Sequence, residues 1–283
     1  MIDETVAEIQ GMRTHSSSVV AVKAARSLAD LLDEEYPTAE EYLRALERNS
    51  GALRRANPSH ASLVTTQRDI VAAVEDADPA TVAEAKDATR EAIDAVVEQV
   101  ENAKHAAAAN VADRLDDGTT LLTHDYSSTV LEAIELAAEA GNELDVYITE
   151  ARPRQIGRKT ARALGGMDRV EPTLVVDAAA GYVLDDSDLV LTGMDCIVDD
   201  TLYNRVGTYP IAATAADADV PLVVTGSSAK IVNAGFRFEN DFRPESEVIR
   251  EPPEGFAVAN PSYDATPTRL VDAVVTDEGD AEL

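Results

Sequence analysis

Apolar residues recur along this chain with two different periods, and the period changes near residue 118. Before that point the spacing is helical. Ile2, Val6 and Ile9 share the face of a first helix, and Gly11 interrupts it. His15-Ser16-Ser17-Ser18 reads as a turn that caps a second helix over 19–36, with Val20, Ala24, Leu28 and Leu31 on one face. Pro37-Thr38 opens a third helix, with Thr38 as N-cap and Glu41 at capping-box spacing, and Ser50-Gly51 closes it. Residues 52–64 read as a turn holding Arg54, Arg55, Asn57 and Pro58, and helical spacing resumes at Leu63. From 80 to 115 there is neither Pro nor Gly. Val82, Ala85, Thr89, Ala92, Ile93, Val96 and Val100 make one continuous stripe, which Asp116-Asp117-Gly118 stops.

Beyond residue 118 the apolar runs are short. They cover 119–124, 145–149, 173–177, 189–192 and 220–224, and helical patterns at 129–140, 157–164, 178–184 and 206–218 alternate with them. Short apolar runs between turn signals, separated by helices, predict buried parallel strands with crossover helices. The run VPLVV reads as the last strand of that set, and Thr266-Pro267 as the start of a helix with Pro267 at its first position. The fold class is therefore α/β: an all-α domain over 1–117, then a doubly wound parallel-sheet domain over 118–283. Ligands of such sheets bind beyond the carboxyl ends of the strands. Those ends carry Glu150, Arg152, Asp177, Asp195 and Thr225-Gly226-Ser227-Ser228.

Charge changes the picture in one respect. The 283 residues carry 53 Asp and Glu against 24 Lys and Arg, a formal net charge of −29. An apolar fraction of 45% with clear periodicity argues against disorder. Dense surface carboxylates suit a protein kept soluble in concentrated salt, where repulsion is screened. The same charge argues against direct binding of nucleic acid, which needs a basic face. The single Cys196 excludes an intrachain disulfide and a multi-Cys zinc site; the four His are scattered, so no metal is expected. The first strand is not followed by GxGxxG, so no dinucleotide cofactor is expected. No window reads as a signal peptide or membrane span, and the expected location is cytoplasmic.

Several pieces, in this order, carry a family resemblance: LLTHDYSSTVLEAI, VYITEARPRQIGRKTARAL, VVDAAAGYVLDDSDLVLTGMDCIV, NRVGTYPIAATAADADVPLVV and NPSYDATPTRLV. The chain resembles the initiation factor 2B-related superfamily. That group holds the α, β and δ regulatory subunits of translation initiation factor 2B and two isomerases, of ribose 1,5-bisphosphate and of methylthioribose 1-phosphate. The resemblance implies a helical domain followed by a Rossmann-like domain. It also implies dimers through the C-terminal domain, hexamers in some members, and association with related subunits or initiation factor 2.

The isomerases resembled here use a cysteine after a Thr-His pair together with an aspartate, acting on a phosphorylated aldose. Asp195 matches the aspartate. After Thr123-His124 this chain has Asp125, so the cysteine is missing, and Cys196 is no substitute because it sits next to Asp195. The family's Asn-Lys pair appears as Asn204-Arg205, its later lysine as Lys230, and its small polar phosphate turn as Ser127-Ser128-Thr129. An Arg-Gly-Ala-Gly turn of the isomerases aligns with His15, Ser16, Ser17 and Ser18, and their arginine before a proline is Asn57 before Pro58. Losing two arginines weakens a phosphate grip. These departures favour a regulatory protein resembling the α subunit, a homodimer binding a sugar phosphate or nucleoside monophosphate without isomerase chemistry. The alternative is a ribose 1,5-bisphosphate isomerase in which Asp125 and Asp195 share the proton transfers. Asp125 has a simpler reading as a cap at the start of the helix that Ser127 or Ser128 can also cap, and Asp195 one as a loop cap. Arg152 reads as an anion ligand or as half of an ion pair with Glu150 or with a dimer partner. His124 reads as a core-edge residue.

Overall fold

The computed structural model describes residues 2–11, 16–232, 238–251 and 254–282, which form two compact units, 1–103 and 104–283. In the first unit, α1 (Ile2–Gln10), α2 (Ser17–Ser27), α3 (Ala39–Ala56), α4 (Ala61–Asp76) and most of α5 (Val82–Ala112) surround one core. Leu28, Leu31, Tyr42, Leu46, Leu53, Leu63, Ile70 and Val74 fill it. Each Leu or Ile so buried contributes roughly 1.5–3 kcal/mol. Thr38 caps α3 by accepting from Glu41 N at 3.2 Å, as the spacing predicts. Thr89 lies within the α5 stripe because its hydroxyl donates back to Ala85 O at 2.8 Å.

Several helix boundaries differ from the sequence pattern, and α2 ends at Ser27, where the pattern runs on to residue 36. α3 runs through Ser50-Gly51 to Ala56, so Arg54 and Arg55 form its last turn rather than a loop. Tertiary contact overrides the local stop signal: the Ser50 hydroxyl, fully buried, donates to Gln67 O of α4 at 3.0 Å. Ser17 and Ser18 lie inside the first turn of α2, with Ser16 as N-cap. α5 belongs to both units, since from Lys104 onward its residues pack with the second. The division at 117/118 expected from the pattern falls in the connection between α5 and β1.

The second unit is built on β1 (Thr120–His124), α6 (Ser128–Glu139), β2 (Leu144–Thr149), α7 (Gly157–Leu164), β3 (Val170–Val175), α8 (Ala180–Leu184) and β4 (Leu189–Gly193). There follow β5 (Cys196–Val198), β6 (Thr201–Arg205), α9 (Thr208–Asp217), β7 (Leu222–Thr225), β8 (Ile231–Val232), β9 (Tyr263–Pro267), β10 (Ala273–Thr276) and β11 (Gly279–Ala281). The main sheet has the order β11-β10-β7-β4-β1-β2-β3, parallel except for β11. Neighbouring side chains alternate between its faces. Leu121, Leu191 and Val275 pack with α6, while Leu122, Val190 and Val274 pack with α8 and α9. That period of two buries both faces, the reason these strands read as continuous apolar runs.

Three features of the tail differ from expectation. β10 is a further parallel strand beside β7, so VPLVV is not the last of the set. Thr266-Pro267 ends strand β9 instead of starting a helix, because β6 offers an antiparallel partner and Leu202 pairs with Thr266. β8, β5, β6 and β9 form a second, small sheet that the sequence pattern did not show. β3 also begins earlier than expected, at Val170. None of the described helices is long and apolar enough to cross a membrane.

Candidate functional site

The strand order reverses between β1 and β4, and a crevice opens at such a point beyond the carboxyl ends. β1 delivers Asp125 to that place and β4 delivers Asp195. Asp125 follows His124 with φ 63, a left-handed conformation that an Asp tolerates better than most residues. The turn is locked from below: Thr160 donates its hydroxyl to Asp125 O at 2.6 Å. His124 sits 2.6 Å from Thr149 Oγ1 and 2.9 Å from Val206 O, so it braces the strand end as a core residue. Gly207, φ 111, lies against it, and a Cβ there would come within 2.5 Å of the imidazole.

Arg205, at the end of β6, joins the two carboxylates. Its Nε lies 3.3 Å from Asp125 Oδ2 and 4.0 Å from Asp195 Oδ2. The guanidinium also lies over the Tyr263 ring at 4.9 Å. Asp125, Asp195 and Tyr263 are buried and the Arg205 side chain is 13% exposed; among the described residues Asp125 Oδ1 has no hydrogen-bond partner. Burial pushes the Asp125 carboxyl above the ordinary carboxylate range, against the pull of Arg205. Burial opposes the charge of Arg205, but Tyr263, Asp195 and Asp125 outweigh it and hold the guanidinium firmly protonated. The capping role read for Asp125 is not what the structure shows. Ser127 is the N-cap of α6, accepting from Val130 N at 3.3 Å, while the Asp125 carboxylate faces Arg205.

Lys230, after β7, is also buried, and its Nζ donates to Met194 O at 2.8 Å. Burial lowers its pKa, with Asp195 working the other way. Asn204 donates to Thr208 Oγ1 at 3.1 Å. Thus Asp125, Asp195, Arg205 and Lys230 share one neighbourhood, with Ser127 near Gly193 at its edge. Thr129 is buried in the first turn of α6, beside Ser128. Arg152 is exposed, and Glu150 pairs with Arg158 at 3.0 Å instead of with Arg152. Ser16 and Ser17 are buried at the start of α2 in the first unit, and His15 lies outside the described residues. Among the described residues, no group of His, Cys, Asp and Glu is arranged to hold a metal ion.

The sequence pattern of the initiation factor 2 subunit family matches residues 13–282. The chain belongs to that family. It is 33% identical over 294 residues to a protein of Haloterrigena turkmenica called ribose 1,5-bisphosphate isomerase, covering 97% of this chain and 88% of that one. Among solved structures it is similar to translation initiation factor eIF-2B of Pyrococcus horikoshii OT3, at TM-score 0.83 and 25% identity, over 99% of this chain and 96% of that one. It shares its fold with 5-methylthioribose 1-phosphate isomerase of the same organism, at TM-score 0.84 and 21% identity, over 99% and 84% of the two chains.

Within this family member, the sequence reading missed one side of the site. Arg154, Arg243, Glu247, Asn260 and Ser262 line a pocket together with Asp125, Arg152 and Arg205. Arg154 and Ser262 lie inside the motif pieces that carried the resemblance, so a signal for them was present. Arg243 and Glu247 come from an irregular segment, placed by a bridge between Phe242 and Pro261 that no local pattern announces.

Proposed function

We propose that the chain binds a phosphorylated pentose beyond the ends of β1 and β4 and interconverts its aldose and ketose forms. The observation that carries this reading is the pair of buried carboxyls, Asp125 and Asp195, facing one guanidinium. The haloarchaeal relative's name supports it, and so does the environment of Asp125. A carboxyl whose pKa is raised by burial is the better proton donor of a pair, and a second carboxylate beside it is a base. Protonated Asp125 donates to the ring oxygen as the sugar ring opens. Asp195 removes the proton on C2, leaving an enol. Asp195 then returns that proton to C1 while Asp125 takes the proton of the C2 hydroxyl, giving the ketone and restoring both carboxyls. Arg205 balances the negative charge that develops. Asn204, Lys230 and the Ser127-Ser128-Thr129 turn hold the substrate.

A second reading is a regulatory protein that keeps the pocket without the chemistry. It is favoured by one observation: where the resemblance places a cysteine, Asp125 is tied to Arg205. In either case we place the protein in the cytoplasm as a homodimer formed through its second unit. The exposed Leu174 of edge strand β3 and the exposed Val176 and Tyr182 support such an interface.

Incubation with ribose 1,5-bisphosphate in molar KCl, followed by NMR, tests the choice. Ribulose 1,5-bisphosphate is expected to form, and Asp195→Asn to stop it. No turnover, with the sugar still raising the melting temperature, would leave the regulatory reading.

A further inference from the structure

Beside the two carboxyls, the second unit concentrates the opposite charge. In a chain with 53 acidic residues, four arginines line a single pocket with only two carboxylates: Arg152, Arg154, Arg205 and Arg243 against Asp125 and Glu247. The arrangement is held in place. Glu247 clasps Arg243, accepting from Nη2 at 2.7 Å and from Nε at 3.0 Å. Asn260 donates to Glu247 Oε2 at 3.3 Å and to Pro244 O at 3.1 Å. Arg154 Nε stands 3.9 Å from the same Glu247 carboxylate.

This crowding works against the cations. Burial lowers the Arg154 pKa, and the neighbouring charges of Arg243 and Arg205 lower it further. Four guanidiniums against two carboxylates make the lining of the pocket cationic, an excess held in a place of reduced dielectric. A phosphate monoester removes that excess and matches guanidinium geometry.

We propose that Arg154 and Arg243 form a phosphate subsite that holds the far phosphate of a doubly phosphorylated pentose whose reacting carbons lie at Asp125 and Asp195. The inference rests on the sugar-phosphate reading and sharpens it. The pocket shares Asp125 and Arg205 with the reacting centre, so one ligand spans both. Selection for two phosphates over one then comes from this pocket.

Calorimetric titration of the full chain in molar KCl tests it with ribose 1,5-bisphosphate, ribose 1-phosphate and ribose 5-phosphate. Arg154→Gln is expected to weaken the bisphosphate by about 10–100-fold, the loss of a charge-assisted pair. One of the two monophosphates, the one without a group in this pocket, is expected to bind as before, and Arg154→Lys to recover part of the loss. Equal affinity of wild type and Arg154→Gln for the bisphosphate would overturn the subsite alone. If wild type binds none of the sugars, the sugar-phosphate reading fails. Inorganic phosphate, compared with chloride at equal ionic strength, then decides the subsite separately. A rise in melting temperature lost in Arg154→Gln supports it, and no rise overturns it.

Discussion

Arg205 Nε stands 3.3 Å from Asp125 Oδ2, so a largely buried cation and a buried carboxyl from distant parts of the sequence face each other at the sheet's switch point. Removing the cation leaves two buried carboxyls without it. Arg205→Met is therefore expected to destabilise the fold by about 3–5 kcal/mol, the usual result of breaking one side of a buried pair. Arg205→Lys should recover part of that loss. Denaturant melts at constant salt measure both, and a loss below about 1 kcal/mol for Arg205→Met would contradict the pairing.

Asp125→Asn keeps the shape of the side chain and removes the acid. Turnover of the phosphorylated pentose is expected to fall by about 10²–10⁴-fold, while the rise in melting temperature on ligand binding remains. Retained turnover would take Asp125 out of the mechanism and leave it as a partner of Arg205.

The raised pKa of Asp125 has a consequence for stability. In acid both the folded and unfolded states hold the proton. As pH rises past the ordinary value near 3.9, the unfolded carboxyl ionises first. The folded state then binds more protons, so this residue's contribution falls until its own pKa is passed. Wild type should therefore lose stability relative to Asp125→Asn as pH rises above about 4. Paired melts of the two proteins across pH 3–8 measure the difference. A wild type that gains stability relative to Asp125→Asn as pH rises would refute the sign.

Cys196 is fully buried, and burial followed by the charge of Asp195 pushes its thiol up to about 12. At pH 8 the thiolate fraction is on the order of 10⁻⁴. Native protein should be inert to a maleimide over hours and react fully once unfolded. Fast labelling of native protein would disprove the burial.

The net charge of −29 predicts a dependence on salt. Melting temperature is expected to rise with KCl from low concentration into the molar range, as repulsion between carboxylates is screened. A melting temperature indifferent to KCl would remove salt adaptation as the reason for the acidity.

Local side-chain pattern sets the class of fold and the alternation of the main strands and helices up to β7. Helical spacing marks the first half, and short Val, Leu and Ile runs mark β1, β2, β4 and β7, because both kinds of element are set by side chains within a few residues of each other. It also determined that Asp125, Asp195, Arg205 and Lys230 fall at strand ends or just beyond them. Only the tertiary structure decided which of these meet. Asp125 and Ser127 both look like caps in the local sequence; Ser127 takes that role, and an arginine 80 residues later claims the Asp125 carboxylate. α3 passes through Ser50-Gly51 for the same reason: a buried bond to Gln67 outweighs a local stop signal. β5 and β6 join in a tight hairpin at Asp199-Asp200, but β8 and β9 pair with them across long separations. Arg154 and Arg243, far apart in the chain, come together only through the Glu247 carboxylate in the folded unit. Pairings of that kind carry no period in the chain; they depend on desolvation and charge, and those exist only once the sheet has closed.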